Sequence, residues 1–99
     1  MKRVLIFEGG WDGHEPQLTS KRFGRYMEEE GYTVDIFDNQ ECLDDAEKLC
    51  GYDLIVACWT MGDITWERVS NISKAVGRGT GLAGCHGGMC DAFRTNTEW

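Results

Sequence analysis

Two unbroken apolar runs, Val4-Leu5-Ile6-Phe7 and Leu54-Ile55-Val56-Ala57-Cys58, constrain the fold more than any other feature of the chain. A strand with one wet face alternates apolar and polar residues, whereas a run without alternation marks a strand covered on both faces. Such strands belong to parallel sheets whose crossover helices lie above and below, and helical patterns stand between the runs here. Pro16 suits the first turn of a helix whose positions Phe23, Tyr26 and Met27 share a face and which Gly31 ends. Thr33 to Phe37 reads as a second strand, with Val34 and Ile36 alternating against Thr33 and Asp35. Asp44 to Leu49 is a short helix, and Asp53 to Cys58 a third strand. Asp63 or Thr65 can cap a further helix with Val69, Ile72 and Val76 on its core face, stopped by Gly77 or Gly79. Gly81 to Cys85 is the fourth strand.

This order predicts an α/β fold, a parallel sheet ordered 2-1-3-4 by right-handed crossovers, with a topological switch between the first and third strands. Ligands bind beyond the carboxyl ends of such strands. Glu8 to Glu15 (a glycine-broken loop), Trp59 to Asp63 and Cys85 to Asp91 all fall there, bringing both histidines of the chain, His14 and His86, to that edge. A helix is expected to begin near Gly88. Four parallel strands ending on a newly made edge leave apolar surface bare. The chain, residues 1–99, is therefore expected to be the N-terminal part of one longer domain, unless something else covers that edge.

With 99 residues the chain can build one small domain and no more. A formal charge of −7 argues against nucleic acid or an anionic membrane as partner, because both would repel it. Lys21-Arg22-Arg25 and Glu28-Glu29-Glu30 read as solvated helix faces. The five cysteines are odd in number and follow no zinc-finger spacing. Val4 to Phe7 is too short for a signal-peptide core and no run approaches a membrane span, so a reduced, cytoplasmic compartment is expected. Cys58 reads as a small buried hydrophobe.

Chemistry concentrates in Gly81-Leu82-Ala83-Gly84-Cys85-His86-Gly87-Gly88-Met89-Cys90. A strand turning sharply into a helix holds one residue in a strained conformation and needs nearly side-chain-free neighbours, as in a nucleophile elbow. Gly84 and Gly88 flank His86 symmetrically and favour it at the apex; Ala83 and Gly87 flank Cys85, the alternative. The positive potential of a helix N-terminus would keep His86 neutral and favour a Cys85 thiolate. His14 is the natural second imidazole, expected on one rim with His86 and within about 10 Å of it, close enough to share a small ligand, water or a metal ion. Zinc is the metal these ligand types suit, with His14 and His86 as ligands and Asp12, Glu15, Cys85 or Cys90 as a third. Trp11 and Trp59 can line the mouth and stack on sugar rings, while Asp12, Glu15 and Asp63 can bind hydroxyls; core packing is the competing role for the tryptophans. Trp66 packs or makes an oligomer contact, and Cys90 packs inside the last helix. Gly9-Gly10-Trp11-Asp12-Gly13 lacks the Lys-Ser/Thr ending of a phosphate loop and carries an acid that would repel phosphate.

Gly9-Gly10 with His14, the strand Tyr52-Asp53-Leu54-Ile55-Val56, and Gly84-x-His86 together give the chain a resemblance to the ThuA-like (trehalose utilisation) family. That family lies within the class I glutamine amidotransferase-like superfamily. The resemblance implies a flavodoxin-like three-layer fold and a role in carbohydrate metabolism, acting on or binding a sugar-derived small molecule. Amidotransferases carry cysteine where this chain has His86, so glutamine hydrolysis is not implied. Ala83-Gly84-Cys85-His86-Gly87 also resembles the Cys-His elbow of the PfpI-like protease and deglycase family, in which a glutamate contacts the cysteine; Glu15 lies near the matching place. Three readings stand: a sugar-directed site centred on His86 and His14, a Cys85-dependent hydrolase or deglycase, and a non-catalytic flavodoxin-like module that binds a partner protein.

Overall fold

The computed structural model describes residues 2–85, 88–90 and 92–99. Strand β1 (Arg3–Gly10) is followed by a short 3-10 helix over Asp12–His14 and helix α1 (Pro16–Glu29). Strand β2 (Thr33–Phe37), helix α2 (Ala46–Cys50), strand β3 (Leu54–Thr60), helix α3 (Trp66–Gly77) and strand β4 (Gly81–Gly84) complete the order. The sheet is parallel throughout and ordered β2-β1-β3-β4, as the alternation predicts. The reversal of direction between β2 and β3 explains the layering. Right-handed crossovers put a helix above the sheet when the chain moves one way and below it when it moves the other.

The two faces of β1 bury different sets. Leu5 and Phe7 join Ile55, Ala57, Leu49, Val69, Ile72 and Phe93 in the larger core, beneath α2 and α3. Val4 and Ile6 join Val56 on the opposite face, packed by Phe23 and Met27 of α1. With a four-stranded parallel sheet between these helix layers, the fold is flavodoxin-like.

Several local expectations change. β1 does not stop at Phe7: Glu8, Gly9 and Gly10 continue the ladder opposite Cys58, Trp59 and Thr60. The expected loop over Glu8–Gly10 is strand because β3 also runs on and supplies the pairing partner. Tyr26 and Val76, expected on core faces, are exposed. In α1 the residues buried deepest are Pro16, Ser20 and Gly24, a seam of small side chains at every fourth position. That seam brings the helix axis close to the sheet and splays Tyr26 outward. In α3 the deeper position is Ala75 rather than Val76.

Thr65, not Asp63, caps α3: its Oγ1 accepts from the Arg68 N–H at 3.2 Å. Asp63 is drawn instead toward Thr95, whose hydroxyl donates to its carboxylate at 3.0 Å. Gly88 lies in a 3-10 turn, and the described residues after it form turns and irregular chain rather than the expected α-helix. Ala92 and Phe93 of this segment are nevertheless buried in the larger core and cover it. Cys90, expected inside a helix, is exposed, and Trp66 is exposed at the start of α3.

Gly10 shows how tightly the end of β1 is held. Its φ is +83°, and a Cβ there would collide with the Thr60 carbonyl oxygen. Gly31 has a similar φ of +92° but faces open space. Gly10→Ala is therefore expected to cost more stability than Gly31→Ala, with roughly 1–3 kcal/mol of backbone strain in each and the clash added in the first. Urea denaturation of both variants checks this; equal losses would contradict the close approach.

Candidate functional site

Past the carboxyl ends of β1, β3 and β4 lies a cavity of about 220 Å³, lined by His14, Pro16, Thr19, Ala57, Cys58, Trp59, Thr60, Cys85 and Gly88. Its position, next to the switch between β1 and β3, is where a doubly wound sheet opens a crevice. The turn after β1 delivers His14. The Trp11 N–H donates to the Thr60 carbonyl at 2.9 Å, and the Glu15 N–H to the Asp12 carbonyl at 2.9 Å, so the loop is pinned to β3 and closed on itself. Glu15 takes the strain of that closure with a φ of +49°. His14 Nδ1 then lies 2.9 Å from Thr60 Oγ1, and the Trp11 and His14 rings meet edge-on at 4.7 Å between centroids. A hydroxyl on Nδ1 fixes the orientation of the imidazole whichever partner donates.

The far wall comes from β4. The Gly88 N–H donates to the Cys85 carbonyl at 3.1 Å, a turn that folds back over β3. A Cβ on Gly88 would sit 2.6 Å from the Ala57 carbonyl oxygen, so only glycine permits that approach. Cys85 is exposed on this wall. Cys85, the alternative apex, does not carry a positive φ; among the described non-glycine residues that falls at Glu15 and Met61. Among the described residues no α-helix follows Cys85. His86, the other apex candidate, lies outside the described residues, as does its shared rim with His14.

His14, Trp59 and Cys85 thus meet on one cavity. Trp59 both lines the cavity and packs in the core, on Phe7 and Phe93 at 6.3 and 6.5 Å between ring centroids. Asp12 and Glu15 line a neighbouring cavity with Glu8, Gln17 and Leu18, and Pro16 alone borders both. Glu15 and Cys85 therefore do not share a wall. Trp11 is exposed outside either lining, and Asp63 is engaged with Thr95. Among the described residues no three His, Cys, Asp or Glu side chains converge on a metal-holding point, so the zinc reading depends on His86.

Three residues at this edge were missed or undervalued in the sequence: Glu8, Cys58 and Thr60. Strand parity could have found the first two. Val4, Ile6 and Glu8 point to the α1 face, and Glu8 stands opposite Cys58 in the ladder. Glu8 is only 5% exposed. Burial, then the neighbouring Asp38 carboxylate, raise its pKa above the ordinary 4.5, while Lys21 pulls the other way. Burial pushes the Cys58 thiol up to about 12, with the charge on Cys85 next in importance and that on Glu8 third.

A sequence model of the family described as ThuA, trehalose utilisation, matches residues 3–99. No curated protein and no solved structure matches the chain.

Two outcomes follow from these environments. A thiol raised to about 12 holds roughly a thousandth of the thiolate of an ordinary cysteine at pH 7. Iodoacetamide under reducing conditions should therefore alkylate exposed Cys85 at least roughly a hundredfold faster than Cys58; comparable rates would contradict the burial of Cys58. For Glu8, a folded-state value above the unfolded one favours the protonated acid. Its contribution to stability is full below pH 4.5 and is lost as pH rises through the raised folded value. Glu8→Gln should flatten that decline in urea titrations from pH 4 to 8, and an unchanged slope would show that Glu8 does not cause it.

Proposed function

This chain belongs to the ThuA family, whose description is trehalose utilisation, and we propose that its carboxyl-edge cavity holds one ring of a trehalose-type sugar or of a small molecule derived from one. The observation that carries the reading is the His14–Thr60 pair set into an otherwise largely apolar cavity of about 220 Å³. Drug-sized ligands occupy pockets of about 300–1,000 Å³, so this one suits a smaller guest. A sugar ring presents hydroxyls at its edge and C–H groups on its faces. The imidazole and hydroxyl of the pair match the first, and Trp59, Pro16 and Ala57 match the second. His14, steadied by Thr60, is the group placed to accept or give a hydroxyl proton. His86 is the proposed second imidazole on the ground of chain position alone, between Cys85 and Gly88, which both line the cavity.

Calorimetric titration with trehalose and with glucose tests this. Binding of at least one sugar is expected, weakened about tenfold by His14→Ala and by Thr60→Val, the loss of one hydrogen bond, and unchanged by Asp63→Asn. No binding of either sugar, or full affinity in both site variants, would overturn it.

A Cys85-dependent hydrolase is the second reading, favoured by the exposed thiol on the same cavity, although its expected partner Glu15 lines the neighbouring one. It requires that Cys85→Ala keep sugar binding and lose turnover of an activated glycoside or ester substrate; retained turnover would exclude it.

A further inference from the structure

Cys58 lies in β3, and Cys85 is the first residue after the neighbouring strand β4. The β3–β4 ladder pairs Val56 with Ala83 and Ala57 with Gly84, so the next step sets Cys58 against Cys85. Parity puts both on one side of the sheet: Val56, Cys58 and Ala83 all face the α1 layer, and Cys85 is two residues beyond Ala83. Both cysteines line the same cavity, and the charge of one is felt by the other. Neighbouring strands run about 4.8 Å apart, inside the Cα separation of about 4.4–6.8 Å that a disulfide spans. Cys85 has left the ladder and opens a turn, which gives it freedom for the small approach a bridge requires.

We propose that Cys58 and Cys85 form a reversible redox pair that a peroxide converts into a disulfide across the cavity wall. The two cysteines divide the work by their surroundings. Cys85 is exposed; its thiol gives up a proton and the sulfur attacks the peroxide O–O bond, which breaks to leave a sulfenic acid on Cys85 and a hydroxide that takes up that proton and leaves as water. Cys58, half-buried and with its pKa raised by burial, is the slower thiol and the resolving one. Its sulfur displaces the sulfenic hydroxyl, the S–S bond forms, and the hydroxyl leaves with the Cys58 proton as a second water. Adjacency supplies the high effective concentration that a poorly ionised thiol needs. A dithiol reductant supplies the two electrons that reopen the bridge. The bridge forms whatever the cavity holds, so this inference does not rest on the sugar reading.

Peptide mapping of the reduced protein after treatment with stoichiometric hydrogen peroxide tests the pair. The expected result is one dominant disulfide, Cys58–Cys85, with a loss of two hydrogens that dithiothreitol restores. Cys90, exposed and near in sequence, is the competitor. The bridge should form undiminished in Cys90→Ser, and in Cys58→Ser dimedone should trap at least five times more sulfenic acid on Cys85. Mapping of the unsubstituted protein and of Cys90→Ser decides the matter even if Cys58→Ser does not fold. A dominant Cys85–Cys90 or intermolecular bridge, or Cys85 passing to sulfinic acid without any bridge, would overturn the proposal.

Discussion

Everything in this domain depends on β1 being buried from both sides. Leu5 and Phe7 are sealed beneath one layer, Val4 and Ile6 beneath the other, and none is more than 1% exposed. A strand in that condition must be interior to the sheet, because an edge leaves backbone groups unpaired. β2 and β3 therefore flank it on either hand. Once β1 is interior, its carboxyl end opens into the middle of the molecule, and whatever follows must turn at once. Gly10 makes that turn against β3, and the loop it starts carries His14 over the crevice. The site is a consequence of where an apolar tetrapeptide has to lie.

The sheet was legible because its signal is a pattern of burial, and burial on both faces has few architectural solutions. Strand ends were less legible. Gly9 and Gly10 read locally as breakers, yet a pairing partner running alongside outweighs a weak local preference. Helix faces were legible in phase but not in depth. The i, i+3, i+4 rule locates a stripe, whereas which member lies deepest depends on how close the axes approach, and Ser20 and Gly24 settle that for α1. After β4 the glycines suggest a strand-to-helix turn, but among the described residues Gly88 serves to let the chain pass close over the Ala57 carbonyl, and turns follow it.

For the site, residue chemistry gave the rim and strand parity gave the floor. His14 and Cys85 stand out as reactive types in glycine-rich turns, and they do share a cavity. Glu8 and Cys58 do not stand out, since an acid at a strand end and a cysteine in an apolar run are both commonplace. Their meaning comes from the register that lays Glu8 beside Cys58, and from the shared face that adds Cys85. Register is a long-range property, fixed by partners dozens of residues away, and a local reading has no access to it.

Trp59 belongs to two neighbourhoods at once. One side of its indole is held by Phe7 and Phe93 in the larger core, and another forms part of the cavity wall. Phe93 is in turn wedged by Trp99, with the two rings meeting edge-on at 4.9 Å between centroids. Close-packed interiors transmit displacement rather than absorb it. The contour of the cavity mouth is thus drawn partly by the aromatic rings of Phe93 and Trp99, which do not line the cavity. Divergence at Phe93 or Trp99 would retune what the crevice accepts without altering a single residue that lines it.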